Sequence, residues 1–267
     1  MKVLGIICLG LIALYLLGGA VLFGLQRNFL YFPPKIYLSP QAVNLESFSE
    51  IALSASDGAE LKMWWHEPQE GKPVIMFFHG NASAVFSNID IYRDLSQAGF
   101  GVLGVSYPGY PGASGTPKQD KIVNAAHAQY DWLLARNIRP EQIIFFGTSL
   151  GAGVAAQLSR TRPPALLIMD APFNSMLDMV RLRMPLYGLS VWLKDEYRSD
   201  LALKNTVFPV LILHGTRDAV IPDEQSAKLE KSVNGPVRRF TIEGGQHTNL
   251  WALGGREIIF EALENHS

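Results

Sequence analysis

The sequence predicts an α/β fold, in which helices cover both faces of a mostly parallel, twisted sheet, preceded by an N-terminal transmembrane helix. From about residue 50 onward, short apolar segments alternate with longer amphipathic ones, as in chains whose parallel strands are connected by helices. The first 25 residues are instead dominated by one long apolar segment. A length of 267 residues and a hydrophobic share of 48% are sufficient for one large core and exclude a disordered chain.

The N-terminal apolar segment, residues 3–25, contains no charged residue and no proline. As a helix it would measure roughly 34 Å, which exceeds the bilayer core of about 30 Å. We therefore assign residues 1–27 to a single-pass membrane anchor, with the transmembrane helix at about 3–25. A cleaved signal peptide is the alternative, because Gly18 and Ala20 form a weak cleavage site.

The charges that flank this segment determine its orientation only weakly. Lys2 and the amino terminus lie on one side, whereas Arg27 and Lys35 lie on the other, so the positive-inside rule barely separates the two orientations. The short N-terminal tail favours an amino terminus inside the cell, which places the rest of the chain on the extracytoplasmic, periplasmic side.

Residues 28–267 are predicted to form one α/β domain, in which the prolines of residues 28–44 indicate a linker. Short apolar segments predict strands at 51–54, 61–66, 74–78, 102–105, 143–146, 165–169, 210–213 and 237–242. Amphipathic segments predict helices at 86–98, 118–136, 150–160, 223–232 and 255–264. The first two strands are joined by the turn Ser56-Asp57-Gly58 and are expected to form an antiparallel edge.

Residues 172–206 interrupt this alternation between two predicted strands. The segment is rich in Met, Leu and aromatic residues and is predicted to form a small helical lid. Methionine side chains adapt to irregular apolar shapes. Met176 and Met179 are therefore candidate pocket residues, together with the apolar Phe173 at the start of the segment. Tyr110, in a loop that is expected to border the pocket, is a fourth candidate.

Composition excludes several classes of partner. The chain has 23 Lys and Arg residues against 24 Asp and Glu residues, without the basic clusters that bind nucleic acid. Its one cysteine, Cys8, cannot form an internal disulfide or a cysteine-based metal cluster. We therefore expect no nucleic-acid partner and no metal ion.

The segment Gly147-Thr148-Ser149-Leu150-Gly151 has the pattern G-x-S-x-G. It directly follows a predicted strand and begins a predicted helix, as a nucleophile elbow does. In such a turn the glycines permit close packing, and the serine hydroxyl projects from the end of the sheet. Ser149 is therefore the candidate nucleophile, and the alternative is an ordinary turn in which Ser149 caps the helix.

A serine hydroxyl is a weak nucleophile and needs a general base that is held by an acid. His247 follows the last predicted strand, and Asp218 follows the strand before it. Loops at the carboxyl ends of parallel strands meet at one edge of the sheet, and the chain order Ser, Asp, His is typical of this elbow. We predict His247 as the base and Asp218 as the acid, with Asp170 as an alternative acid. His79 and His214 are interpreted as packed turn residues.

Acyl transfer also requires hydrogen-bond donors for the oxyanion. The backbone N–H of Leu150, directly after the nucleophile, is one predicted donor. The other is predicted in the loop 79–83, where we favour the backbone N–H of Asn81 over that of Ala82. A plain β-turn is the alternative interpretation of this loop.

These motifs together resemble the α/β-hydrolase superfamily and, within it, the Bem46-like, ABHD-type membrane-associated serine hydrolases. The resemblance covers residues 30–265 and rests on Leu30-Tyr31-Phe32-Pro33, His79-Gly80-Asn81-Ala82, Tyr107-Pro108-Gly109-Tyr110, Gly115-Thr116-Pro117, the pentapeptide at 147–151, Ala171-Pro172-Phe173 and the loops of Asp218 and His247. It implies an α/β-hydrolase fold and hydrolysis of an ester, thioester or amide without a metal or a cofactor. Pro108, Pro111 and Ala113 depart from the family's usual pattern in a loop that borders the site, which affects the expected substrate preference.

The favoured function is a membrane-anchored serine hydrolase that cleaves a carboxylic ester through an acyl-enzyme. The apolar lid and the adjacent bilayer favour a small-molecule or lipid-like acyl substrate. A thioesterase acting on acylated proteins and an S33-type serine peptidase are the alternatives, because the same residues would serve all three reactions. A non-catalytic α/β-hydrolase scaffold is a remote alternative, since no member of the predicted triad is missing from the sequence.

Overall fold

The computed structural model describes residues 2–185 and 192–266. Its strands are β1 Ser49–Ser54, β2 Glu60–His66, β3 Val74–Phe78, β4 Gly101–Gly104, β5 Ile143–Thr148, β6 Leu166–Asp170, β7 Val210–Gly215 and β8 Val237–Ile242. Within the described residues these eight strands form one sheet in the order β1-β2-β4-β3-β5-β6-β7-β8. Strand β2 is antiparallel to both neighbours, and all pairs from β4 onward are parallel. The predicted, mostly parallel sheet with an antiparallel edge is confirmed.

The helices are α1 Lys2–Leu30, α2 Ile89–Gln97, α3 Gln119–Leu134, α4 Leu150–Ser159, α5 Met176–Arg183, α6 Ser199–Ala202, α7 Asp223–Glu230 and α8 Gly255–Glu264. Most predicted strands and helices lie within two residues of their expected bounds. The helix predicted at 86–98 differs more, because a 3-10 turn at Val85–Ser87 precedes it and the α-helix begins only at Ile89.

Strand β5 shows why helices pack on both faces of the sheet. Ile143 and Phe145 belong to one apolar cluster with residues of α3 and α4, whereas Ile144 and Phe146 belong to a second cluster with residues of α2 and α8. All four side chains are fully buried, as expected of a parallel strand that is covered on both sides. The carboxyl end of β5, where Ser149 follows, is therefore fixed from both faces.

Helix α1 extends beyond the predicted anchor. The sequence predicts a linker from residue 28, whereas the helix ends at Leu30 and the N–H of Tyr31 still donates to the carbonyl of Arg27 at 2.9 Å. The helix continues past residue 27 because the first helix-breaking proline after the apolar segment is Pro33. Helix α1 is long and apolar enough to cross a membrane.

The insertion predicted at 172–206 lies between β6 and β7 and contains α5 and α6. Ser175 caps α5, since its hydroxyl oxygen accepts from the N–H of Asp178 at 3.0 Å. The N–H of Met176 donates to the carbonyl of Glu196 at 2.8 Å, which fastens α5 to the segment before α6. The helical character of the insertion is confirmed. The lid residues Leu186, Tyr187, Leu189 and Val191 lie outside the described residues.

Candidate active site

Ser149 occupies a sharp turn between the last residue of β5 and the first residue of α4. Its backbone has φ 52° and ψ −114°, a conformation that is strained for a residue with a side chain. The N–H of Ser149 donates to the carbonyl of Asp170 at the end of β6, at 2.8 Å. This contact holds the strained turn against the neighbouring strand.

The two glycines of the pentapeptide are required by close backbone contacts. A Cβ added at Gly147 would lie 2.5 Å from the carbonyl oxygen of Gly151, and one added at Gly151 would overlap the carbonyl oxygen of Phe78. Helix α4 therefore begins in direct contact with the ends of β3 and β5. Larger residues at either position would displace the turn that carries Ser149.

Ser149, His247 and Asp218 are brought together by three loops at the carboxyl edge of the sheet. The Nε2 atom of His247 lies 3.0 Å from the Oγ atom of Ser149, and its Nδ1 atom lies 2.7 Å from Oδ2 of Asp218. With the Nδ1 proton facing the carboxylate, Nε2 is free to accept the proton of the serine hydroxyl. The three residues thus form a continuous row of hydrogen bonds.

The carboxylate of Asp218 is enclosed and held by the backbone of its own loop. Its Oδ1 atom accepts from the N–H groups of Val220 and Ile221, both at 2.8 Å. Burial acts to raise the pKa of Asp218, but hydrogen bonds from His214, His247 and the N–H of Ile221 hold the pKa well below its usual range. Asp218 is therefore ionised at neutral pH.

His214 is buried, as its sequence context predicts, but it lies within β7 rather than in a turn. Its Nε2 atom donates to the carbonyl of Ile221 at 2.8 Å and also lies 3.4 Å from Oδ2 of Asp218. The sequence offered no signal for this second contact, because His214 and Asp218 approach each other only through the path of the turn. His214 thus supports the same carboxylate that contacts His247.

Asp170, the alternative acid, is placed differently. Its Oδ1 atom is inaccessible to solvent and has no hydrogen-bond partner among the described residues. Burial raises the pKa of Asp170 to about 7, and the negative charge of Asp218 adds to this rise, whereas His247 and His214 act against it. It is Asp218 whose carboxylate contacts Nδ1 of His247.

We expect the free energy of unfolding of Asp170→Asn, minus that of wild type, to increase as the pH rises from about 4 to about 7. The folded-state pKa of about 7 lies above the ordinary value of 3.8, so the folded protein binds more protons and wild-type stability falls as the pH rises through this window. At about 1.4 kcal/mol for each pKa unit, the relative gain is at most roughly 4 kcal/mol. Urea unfolding in detergent at several pH values measures it. A stability difference that is equal at both ends of the window would contradict the prediction.

The loop after β3 lies directly beside the nucleophile. A Cβ built on Gly80 would lie 3.6 Å from the Cβ of Ser149. The Asn81 side chain fixes the loop, because its Oδ1 accepts from the hydroxyl of Tyr110 at 2.7 Å and from the N–H of Phe32 at 3.0 Å. Asn81, the predicted oxyanion donor of this loop, directly follows Gly80, and Leu150, the other predicted donor, is the first residue of α4.

The four predicted pocket residues occupy two different places. Met176 and Met179 line an apolar cavity between α1 and α5. Phe173 and Tyr110 are instead buried, each 2% exposed, with the ring of Phe173 packed near Tyr197 and the hydroxyl of Tyr110 bonded to Asn81. Their assignment to the substrate pocket stays a prediction.

Within residues 2–185 and 192–266, no group of three or more His, Cys, Asp or Glu side chains is arranged to hold a metal ion.

Known proteins share this architecture. Residues 73–206 match the family model of the alpha/beta hydrolase fold. Alpha/beta hydrolase domain-containing protein WAV2 of Arabidopsis thaliana is 29% identical over 266 residues, which cover 89% of this chain and 86% of that protein. Lysophosphatidylserine lipase ABHD12 of Danio rerio is 28% identical over 261 residues, which cover 80% of this chain and 68% of that protein.

Solved structures of low sequence identity have the same fold. The Pyrococcus furiosus esterase Pf2001 superposes with a TM-score of 0.70 at 19% identity, covering 88% of this chain and 97% of that chain. At this identity the likeness concerns the fold alone. The family match spans half of the chain and includes the strained turn at Ser149. The chain therefore belongs to the α/β-hydrolase fold family and is similar to its ABHD-type members.

Proposed function

We propose that this chain is a membrane-anchored serine hydrolase that cleaves a carboxylic ester through a covalent acyl-enzyme. The observation that carries the proposal is the row of hydrogen bonds from Ser149 through His247 to Asp218. The strained backbone of Ser149 supports it, because strain of this kind is concentrated at functional sites.

The first half of the proposed reaction forms the acyl-enzyme. The Oγ atom of Ser149 forms a bond to the acyl carbon, while its proton passes to Nε2 of His247, 3.0 Å away. Asp218 keeps the imidazole in the required tautomer and stabilises the imidazolium. His247 then gives the proton to the departing alkoxide as the ester C–O bond breaks.

The second half releases the acid. A water molecule attacks the acyl carbon and gives its proton to His247, which returns a proton to the departing Oγ of Ser149. In both halves the negative charge on the acyl oxygen is assigned to the backbone N–H groups of Leu150 and Asn81. Each such donor typically contributes about 10²- to 10³-fold to kcat.

Helix α1 is the proposed membrane anchor. Helix α1 has the length and composition of a membrane span, and we propose that residues 3–25 cross the bilayer while the remainder of the chain forms the hydrolase domain. The extracytoplasmic side for that domain remains a prediction from the short N-terminal tail.

A lipid-like acyl ester is the substrate class that we favour. One relative is a lysophosphatidylserine lipase, and helix α1 would hold the site close to lipid. Esters of acids with eight or more carbons should then be hydrolysed at least as efficiently as acetyl esters. If acetyl esters were hydrolysed far faster, the substrate would instead be small and soluble.

Labelling by a fluorophosphonate tests whether Ser149 is an activated nucleophile. Membrane fractions that contain wild type, Ser149→Ala or Ser232→Ala would be treated with the probe. Ser232 serves as the control because it lies in the turn after α7, where its hydroxyl donates to the carbonyl of Lys228 at 3.2 Å. We expect wild type and Ser232→Ala to be labelled equally and Ser149→Ala to lose the label completely. Labelling of Ser149→Ala would exclude Ser149 as the nucleophile, and unlabelled but folded wild type would favour the non-catalytic scaffold.

A substrate panel separates the ester hydrolase from the thioesterase and the peptidase. The measurement is kcat/KM on detergent-solubilised protein. The substrates compared are a p-nitrophenyl ester, a thioester and an aminoacyl amide. The proposal requires the ester to be the best substrate of the three.

A further inference from the structure

An apolar cavity of about 200 Å³ lies between the end of α1 and the lid helix α5. Helix α1 contributes Leu22, Phe29 and Leu30 to its lining, and α5 contributes Met179 and Val180. The anchor helix thus forms one wall of the cavity and the lid helix forms the other.

The length of α1 places this cavity at the membrane surface. At 1.5 Å for each residue, a helix of 29 residues measures roughly 43 Å, whereas the hydrocarbon core is about 30 Å thick. If residues 3–25 cross the bilayer, the last five residues of the helix, 26–30, extend beyond it. Phe29 and Leu30 then lie at the membrane surface, and Leu22 lies near the end of the crossing segment. The ester bonds of membrane lipids lie at this level of the bilayer.

The end of α1 is fixed to the hydrolase domain. Arg27 forms a bidentate ion pair with Asp195, at 2.7 and 3.1 Å, and Asp195 is buried. The hydroxyls of Tyr31 and Tyr197 lie 2.9 Å apart in the interior. These contacts attach the wall that α1 provides to the hydrolase domain.

Both walls of the cavity are hydrogen-bonded to loops of the candidate active site. On one side, the Nδ2 atom of Asn81 donates to the carbonyl of Leu30 at 2.5 Å. On the other, the Nη2 atom of Arg183 in α5 donates to the carbonyls of Ala219 and Val220, at 3.0 and 2.9 Å. Ala219 and Val220 directly follow Asp218 in the chain. The two walls are therefore attached to the loop of the predicted oxyanion donor and to the loop of the acid.

The size and lining of the cavity favour a slender apolar occupant. Pockets for whole small-molecule ligands usually measure about 300–1,000 Å³, which is larger than the cavity of about 200 Å³. Among its lining residues within the described part of the chain, Arg183 alone is charged. Part of a hydrocarbon chain fits this description, whereas a polar headgroup does not.

We propose that the cavity between α1 and α5 holds the acyl chain of the ester, so that the anchor helix is part of the substrate-binding site. This inference rests on the proposed function. It gives α1 a second role, because the helix would bind the acyl chain at the membrane surface and lead its carbonyl carbon toward Ser149.

Tryptophan substitutions that fill the cavity test the proposal on the full-length protein in detergent. Val180→Trp fills it from α5, and Phe29→Trp enlarges the side chain on the α1 wall. Leu182→Trp is the matched control, because Leu182 lies on the same helix, is 51% exposed and is not part of the lining. The readouts are kcat/KM for p-nitrophenyl laurate and butyrate, together with fluorophosphonate labelling.

We expect Val180→Trp and Phe29→Trp to lower the laurate-to-butyrate ratio of kcat/KM at least tenfold, and Leu182→Trp to leave the ratio within twofold of wild type. Phe29→Trp keeps the test decisive if Val180→Trp does not fold. A wild-type ratio in every cavity variant that folds, with labelling of Ser149 intact, would overturn the acyl-chain site alone. Absence of labelling in folded wild type would instead overturn the proposed function.

Discussion

Asp218→Asn is expected to lower kcat for ester hydrolysis by about 10⁴-fold. The asparagine oxygen can still accept from the N–H groups of Val220 and Ile221, which leaves its NH₂ group facing Nδ1 of His247. That nitrogen must then accept a hydrogen bond, so the ring proton moves to Nε2 and points at the hydroxyl of Ser149. A histidine in this tautomer cannot take the serine proton, although all three side chains keep their positions.

The measurement is kcat on detergent-solubilised protein, with the free energy of unfolding as a check of the fold. Asp223→Asn is the matched control, because Asp223 lies in the same region of the chain and pairs with Arg239 at 3.2 Å. Loss of a partly exposed ion pair should cost less than about 1 kcal/mol and leave kcat unchanged. A loss of less than tenfold in Asp218→Asn would mean that another group orients His247, and Asp170 would be the next residue to test.

The sheet and the turn at Ser149 could be predicted from sequence because local patterns specify both. Val74–Phe78 is apolar throughout and is fully buried in the structure. Gly147 and Gly151 stand where a Cβ would collide with backbone atoms, so the spacing of the pentapeptide directly reflects a packing requirement. Asp218 and His247 follow successive strands, and parallel strands bring such loops to one edge.

The choice between two acids depends on geometry that no local pattern contains. Asp170 ends β6 and Asp218 follows β7, so both carboxylates lie near the carboxyl edge of the sheet. The path of the loop after β7 turns the N–H groups of Val220 and Ile221 toward Asp218, whereas Oδ1 of Asp170 has no partner in the described part of the chain. This difference arises from the fold of the loop.

The docking of α1 could not be predicted, because its contacts join distant parts of the chain. Arg27 and Asp195 are 168 residues apart, and Asn81 reaches the carbonyl of Leu30 across 51 residues. An apolar segment at the N-terminus indicates a membrane span by its composition alone, and composition does not show what lies beside its last turn. The anchor was therefore predicted without its contacts to the lid and to the loop of Asn81.

Gly151→Ala is expected to destabilise the protein by more than about 4 kcal/mol or to prevent folding. The added Cβ would overlap the carbonyl oxygen of Phe78 and lie 2.6 Å from that of His79. Both oxygens belong to the backbone at the end of β3, which is buried in the middle of the sheet, so neither can move without displacing a strand. The small gain in helix propensity from Gly to Ala, about 1 kcal/mol, is too small to offset this overlap.

Gly153→Ala is the matched comparison, since it introduces the same methyl group two residues later in the same helix. There the Cβ would lie 2.8 Å from the edge of the Phe173 ring, and a side-chain ring can shift by a few tenths of an ångström. We expect a cost of about 1–3 kcal/mol, partly offset by helix propensity. Urea unfolding in detergent and labelling of Ser149 measure both variants. Equal stability losses would show that the turn at Ser149 tolerates movement of β3; a large loss in Gly151→Ala alone would identify the backbone contact between α4 and β3 as the constraint that holds the nucleophile.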